Sequence, residues 1–468
     1  MANFITYTLE KVRDIRRVKA GDSISQILLY WLPEMISAMI LIVLPPIVDS
    51  YVVANSQTLT SYGALALATN FLYSLTKFAE AIPIASIAIV GRFNGAQEYE
   101  KCGEELGTTF WTTTFIGIFQ FVVVLFFAEA IYHWLGVSGE IVTIGAPFLR
   151  LKSIGILLIF SLLSLIGFMR AIKNTHIPML INITGMALFV FFDIALVLGK
   201  FGFPSLGLHG SAYASIIQFG AMNAIALGYI LFNPEYKKYF RQIFFSVFNV
   251  KRAFNLLNLS WPIIIDKISF ALSYPWLTKM LAPMGTSAIT TFDVVKNLER
   301  FAFLPAIAFA TVITFLVSNR LGAHDYEGAK NNIKKVLLLT GITVGFTLAV
   351  LCFKAHYFVS MFDPKNQFTD FGVAVLPMIS LLVTFDFVQV IFSGALRGAG
   401  DVRSVMLIRF FSCIFFLFPA SYVAAQIPTS NHNLKFVMVY GCYYLTTGIM
   451  SIFCLKRIMS NKWQKKEV

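Results

Sequence analysis

Twelve stretches of this chain are too apolar, for too long, to fold in water. They lie near residues 24–49, 58–90, 107–132, 139–168, 177–199, 209–232, 256–282, 286–318, 335–358, 369–396, 403–427 and 434–456. About 20 apolar residues in a helix cross a hydrocarbon core. Lipid cannot satisfy open backbone groups, so a spanning chain is helical or a closed barrel. The runs are continuous rather than alternating, which excludes barrel strands. Composition agrees: 57% of the 468 residues are hydrophobic and 13% charged, against roughly 25% charged in soluble domains. The expectation is an all-α integral membrane protein of about twelve transmembrane helices.

A net charge of +13 would suggest nucleic acid in a soluble protein. Here the basic residues cluster in alternate loops, which is the signature of membrane topology rather than of nucleic-acid binding. The N-terminus, the even-numbered loops and the tail hold 25 Lys and Arg, among them Arg16, Arg92, Arg170, Lys237, Arg320, Arg397 and Lys465. The odd-numbered loops hold five: Lys200, Lys279, Lys354, Lys365 and Lys435. That bias puts both termini in the cytoplasm and predicts a multi-pass protein of the plasma (inner) membrane. Residues 1–23 are polar and basic, and the apolar run after them is too long for a cleavable signal, so it is read as the first span.

Chemistry-bearing motifs are few. The five cysteines have no C-x-x-C or metal-ligand spacing. No phosphate-cradling G-x-x-x-x-G-K-[ST] loop or nucleophile motif occurs, which argues against direct ATP drive and against an enzyme. No cofactor is expected apart from transported H⁺ or Na⁺, and no structural metal.

The chain repeats itself. Gly95-Ala96-Gln97-Glu98-Tyr99-Glu100 pairs with Gly322-Ala323-His324-Asp325-Tyr326-Glu327, and Gly167-Phe168-Met169-Arg170 pairs with Gly394-Ala395-Leu396-Arg397. The step along the chain from Gly95 to Gly322 equals the step from Gly167 to Gly394, so both pairs share one offset. Each half then holds six helices, an even number, so the halves run parallel, and such halves enclose a cavity that rocks between two openings. The expected layout is a cytoplasmic segment 1–23, bundles 24–232 and 256–456, a cytoplasmic linker 233–255 and a basic tail 457–468. A channel or structural protein with duplicated halves is the competing reading.

At these motifs the chain resembles the MATE (multidrug and toxic compound extrusion) transporters of the multidrug/oligosaccharidyl-lipid/polysaccharide flippase superfamily. Residues 385–401, from Phe385-Asp386-Phe387 to Gly398-Ala399-Gly400-Asp401, resemble the family's tenth helix and following turn. Arg320-Leu321-Gly322-Ala323-His324-Asp325 resembles its loop after helix eight. Pro33 and Asp49 resemble first-helix residues, and Asp193, Pro204, Gly207 and Gly210 the fifth helix and its glycine-rich turn. The resemblance implies two six-helix bundles around a central cavity and export of small molecules in exchange for a cation. Two positions depart from the pattern: Phe189 stands where many relatives have asparagine, and Phe270 where some have a helix-seven glutamate, with Asp266 one turn earlier.

Ionisable groups inside lipid cost several kcal/mol and need a partner, a cavity or a function. Asp386, alone in an apolar helix with Gln389 one turn on, is the expected cation-coupling group. Asp193, Asp49 and Asp266 are the further candidates, Asp49 because Pro45-Pro46 is expected to kink or break its helix, and a broken helix frees carbonyls for a cation. Lys77 with Glu80, and Lys296 with Glu299, share helical faces, as do Asp293, Lys296 and Arg300. They read either as self-neutralising pairs or as walls of a substrate cavity. Their cations favour an anionic or zwitterionic small-molecule substrate. Glu98 and Asp325 are candidate partners for Arg170 and Arg397.

Three functions follow for test. One is a drug:cation antiporter driven by H⁺ or Na⁺ and working by alternating access. The second is a flippase for a lipid-linked or anionic precursor. The third, a lipid-acting membrane enzyme, lacks a clustered acid–base set. Expected partners are membrane lipid and the substrate, with no nucleic acid, and the expected state is a monomer.

Overall fold

A computed structural model describes residues 21–56, 59–137, 139–239, 248–363 and 366–464. Most of the expected N-terminal segment, the middle of the linker and the end of the tail lie outside the described residues. Among the described residues there are no strands, and twelve helices are long and apolar enough to cross a membrane. We number these α1 (Ile24–Ser56), α2 (Leu59–Gly95), α3 (Tyr99–Trp134), α4 (Glu140–Ala171), α5 (His176–Leu198), α6 (Leu208–Phe232), α7 (Val250–Leu281), α8 (Thr286–Gly322), α9 (Tyr326–Phe353), α10 (Thr369–Gly398), α11 (Val402–Gln426) and α12 (His432–Met459). The chain is therefore an all-α, multi-pass membrane protein.

The repeat seen in the sequence recurs in the backbone. Helices α2 and α8 begin and end at the offset of the motif repeat, and α3 and α9 begin at that same offset. The turns between them match as well. Gln97 and His324 take positive φ (62° and 56°), and so do Lys173 and Gly400 (66° and 74°). Non-glycine residues rarely adopt that region, so two such pairs at one offset mark one turn used twice. The motif glycines serve close helix packing. A Cβ on Gly167 would meet Pro83 of α2 at 2.9 Å, and one on Gly394 would meet the Ala310 carbonyl of α8 at 2.9 Å.

Two compact units result: Leu32–Ile264, and Ile265–Val468 together with the chain up to Trp31. In the first, α4 packs against α2, α3 and α6; in the second, α10 packs against α8, α9 and α12. The unit boundaries fall inside α1 and α7, so the opening turns of each half's first helix belong with the other half's helices. Polar contacts fix both starts. Asp22 Oδ2 accepts from Arg320 Nε (3.0 Å) and Asn332 Nδ2 (2.7 Å), and its carbonyl accepts from Lys335 Nζ (2.8 Å). In the other unit Arg252 of α7 pairs with Glu104 of α3 at 2.5 Å.

Three sequence expectations need correction. Helices α3 and α9 start at 99 and 326, about two turns before their apolar runs, because their first turns are polar yet helical. Asp325 caps α9 by accepting from the Gly328 N–H at 2.8 Å. Pro45-Pro46 does not break α1, which runs unbroken to Ser56. Opening the ladder would expose more backbone to lipid than the two missing N–H groups do. Arg170 and Arg397 do not reach Glu98 or Asp325. Glu98 binds Lys101, and Asp325 binds Arg320. Instead each motif arginine holds an acid on the first helix of its own half: Arg170 grips Glu34 bidentately at 2.8 Å, and Arg397 pairs with Asp266.

Candidate functional site

The second unit buries acidic and amide side chains within its apolar core. Asp386, 8% exposed, lies mid-way along α10, and its Oδ1 has no hydrogen-bond partner. One turn on, Gln389 donates from Nε2 to Ser393 Oγ at 2.6 Å, while its Oε1 has no partner. Glu299, 4% exposed on α8, accepts at Oε2 from Tyr440 (2.6 Å) and Tyr444 (2.5 Å) of α12, and its Oε1 has no partner. Three buried oxygens without partners, on two carboxyls and one amide, are uncommon, since most buried polar atoms are hydrogen-bonded.

Aromatic rings wall the Glu299 side chain. Tyr440 stacks edge-on against Phe292 (4.8 Å between centroids), Tyr443 against Tyr444 (5.0 Å), and Tyr274 lies 5.6 Å from Tyr443. Each ring excludes lipid, and each tyrosine offers a hydroxyl as donor or acceptor. Apolar side chains from Leu298, Ile379, Val383 and Phe436 complete the packing.

Asp266 has a different setting from the one its sequence position suggested. Arg397 and Arg409 each donate to one of its oxygens. A carboxylate whose two oxygens are taken by guanidiniums is the centre of an ion cluster, not an open cation ligand. Arg409 is 6% exposed and lies over the Phe270 ring at 5.3 Å. Four residues later α11 switches to a π-turn over Cys413–Leu417, closed by the Phe418 N–H bonding the Cys413 carbonyl. Pro419 has no N–H to continue the i→i−4 ladder, and the wider turn absorbs that loss.

Other sequence candidates fall elsewhere. Asp193 is fully buried on α5, the helix that gives Met186 and Phe189 to a small apolar cluster with Ala214. The side chain of Asp49 lies outside the described residues. Lys77 and Glu80 pair at 2.7 Å on α2, both about one-third exposed, with the ammonium over Tyr73 at 4.1 Å. Lys296 pairs with Asp293 at 2.5 Å rather than with Glu299, which the tyrosines hold instead, and its ammonium stands over Phe292 and Tyr274. Arg300 is exposed. Among the described residues, no group of three His, Cys, Asp or Glu is arranged to hold a metal.

Sequence reasoning passes over Arg409, Tyr274, Tyr440, Tyr443 and Tyr444. A signal existed for the first: no other Lys or Arg stands between Arg403 and Lys435, so Arg409 lies deep in an apolar run. The tyrosines carry no signal, because an aromatic residue in an apolar helix ordinarily means packing.

This architecture defines a multi-pass helical membrane protein made of two repeated halves, one of which buries acids with unpartnered oxygens. Its family can be stated as well. The MatE family model matches residues 35–194 and again 262–423. Those two passes start at the offset of the motif repeat, and the chain belongs to that family, whose members are transporters. It is 22% identical to the probable multidrug resistance protein YoeA of Bacillus subtilis over 405 residues, covering 85% of each chain. A mutant of the Vibrio cholerae MATE transporter VcmN superposes with a TM-score of 0.85 at 15% identity, covering 95% of this chain and 98% of that one. A MOP superfamily transporter from Pyrococcus furiosus, described as having a binding pocket of reverse polarity, superposes at 0.84 and 15% identity over 96% and 98%.

Proposed function

We propose that this protein is a secondary exporter that expels small organic molecules in exchange for H⁺ or Na⁺ by alternating access. It works in the inner membrane with both termini in the cytoplasm and acts as a monomer. The observation that carries the reading is Asp386: a buried carboxyl in an apolar helix, with one oxygen unpartnered and an unpartnered amide oxygen on Gln389 one turn on. Such a group can take a proton or a Na⁺ from one side and give it up to the other. The relatives' names as multidrug resistance proteins support cargo of drug size. Asp266 drops out of the coupling set because two arginines hold it; Asp193 stays as a secondary candidate in the first half.

The cargo class follows from the ion pairs. Lys77–Glu80 and Lys296–Asp293 are partly exposed on helices too apolar to present charge to lipid, and each lysine stands over an aromatic ring. Sites that offer lysine ammoniums and carboxylates beside rings suit anionic and zwitterionic small molecules. The lysines also keep open the second reading, a flippase for a lipid-linked or anionic precursor.

Efflux of cationic, zwitterionic and anionic dyes from proteoliposomes, under separately imposed pH and Na⁺ gradients, decides between them. The proposal expects one gradient to drive efflux of the zwitterionic or anionic dyes and D386N to abolish it. Gradient-independent movement of anionic dyes, lost when Lys77, Lys296 and Arg300 become Gln, favours the flippase.

A further inference from the structure

One ion pair of the first unit stands on a surface that is otherwise apolar. Arg150 of α4 donates from Nη2 to Glu129 Oε1 of α3 at 2.9 Å and from Nε to the Leu125 carbonyl at 3.1 Å. The two side chains are 36% and 62% exposed. The second half of α3 turns Val124, Ala128 and Tyr132 into the core. Its far face is exposed, with Phe119 and Phe126 on it, and Glu129 continues that stripe at helical spacing. Charged residues of lipid-crossing helices ordinarily face an interior or a cavity. This pair faces outward, so its setting needs another explanation. Depth supplies one. Trp134, exposed at the end of α3, sits where tryptophan marks a membrane border. Glu129 comes five residues earlier, roughly 7.5 Å along the axis, and the long arginine stem lets its charge reach the same level. From Glu129 down to Phe119 is about 15 Å, close to the depth of one leaflet's hydrocarbon.

We propose that Arg150 and Glu129 hold the headgroup of a zwitterionic phospholipid with a primary ammonium, a phosphoethanolamine lipid, whose acyl chain lies along the phenylalanine stripe. The phosphate takes the N–H groups that Arg150 has left over. A guanidinium carries about five, and among the described residues it spends them on the Leu125 carbonyl and one carboxylate oxygen alone. The ammonium takes the second oxygen of Glu129, whose first is held by Arg150. Charge complementarity selects the head. The pair is neutral as a whole and so is phosphoethanolamine, each offering one charge of either sign. An anionic head would set its phosphate beside Glu129 and bring no cation for it. With the termini cytoplasmic, as proposed above, the site lies in the outer leaflet. The second half has no copy of it, since the matching positions of the repeat hold His356 and Pro377. One lipid per protein is therefore expected.

Native mass spectrometry of the full-length protein in mild detergent tests this. The protein is titrated with phosphatidylethanolamine, phosphatidylcholine and phosphatidylglycerol of matched acyl chains. The wild type is expected to keep one phosphatidylethanolamine, bound about tenfold more tightly than either of the others. A trimethylated choline head has no N–H to give Glu129, and a glycerol head has no cation. E129Q keeps the Arg150 contact to phosphate, so it should bind the ethanolamine and choline lipids alike. R150A should lose all three by tenfold or more. Arg150 also ties α3 to α4, so if R150A does not fold, E129Q decides. A pair that only staples the two helices would give E129Q a lower melting temperature and an unchanged lipid preference, and that result overturns the proposal. Equal binding of the three lipids by the wild type, or a preference for the glycerol head, overturns it as well.

Discussion

Counterpart positions in the two halves hold opposite chemistry. Where α8 carries Glu299, α2 carries Leu72 at the matching position of the repeat; where α10 carries Asp386 and Gln389, α4 carries Ile159 and Leu162. Arg409 answers to Asn182. The frame around these positions is nonetheless the same. Both halves have the left-handed turns at Gln97 and His324, the motif glycine against a neighbouring helix, and a motif arginine gripping an acid of the first helix. The repeated features are those that position helices, and the features that differ are those that carry charge. One half is thus a scaffold with Leu72, Ile159, Leu162 and a neutral Asn182 at these positions, and the other is the same scaffold with buried acids and an arginine there.

The sharpest way to break this comparison is to exchange the chemistry. D386N should lower ion-driven efflux by at least about a hundredfold, the scale on which a lost coupling charge of about 2.7 kcal/mol acts. Alanine at the apolar counterparts Leu72 and Leu162 should leave ion coupling intact. Those variants should lose only stability, about 2–4 kcal/mol for a buried leucine, read as a lower melting temperature of the purified protein. An uncoupled L72A would mean that the first half also carries the drive.

The two arginine clamps should differ in a second, smaller way. R170A leaves Glu34, 3% exposed, with its bidentate partner gone, which costs about 3–5 kcal/mol. R397A leaves Asp266 still paired with Arg409, so its loss should be roughly half as large. Thermal denaturation of the two variants side by side checks the order; equal losses would show that Arg409 does not share the load of Asp266. D22N should cost less again, about 1–2 kcal/mol, because Asn still accepts from Asn332 and the Asp22 carbonyl keeps Lys335. Its mark should be faster proteolysis near residue 21.

The smallest effect lies at the α9–α10 connection. Burial disfavours the charged form of Asp363, but N–H groups of Phe368, Gln367 and Thr369 and the Thr369 hydroxyl outweigh it and hold its carboxyl below the ordinary value. A lowered folded value means stability that is present above the unfolded value, about 3.9, and is lost as pH falls through the lower folded one. D363N should therefore melt lower near neutral pH, and the gap to wild type should close below about pH 4.

The helices were legible in the sequence because membrane thickness fixes their length and lipid fixes their composition. The repeat was legible because two turns need the same residues in the same order. Helix starts such as Tyr99 and Tyr326 were not, since polar turns that precede an apolar run look like loop. Asp386 was legible as an acid with no neutralising neighbour along its own helix. The partners of Glu299 were not: Tyr440 and Tyr444 come from another helix, and pairing across helices leaves no periodic trace. The same reason made Lys296–Glu299 plausible from spacing, although Asp293 and the tyrosines divide those two residues between them. Asp266 likewise reads as an open acid along α7, because both of its arginines come from distant helices, α10 and α11.

The asymmetry between the halves is tested most directly by ion-driven efflux from one preparation of proteoliposomes holding wild type, D386N or D193N at equal protein density. The account predicts that D386N gives no gradient-driven efflux and that D193N gives slower efflux with the wild-type ion dependence. Coupling intact in D386N and abolished in D193N would contradict it and move the drive to the first half.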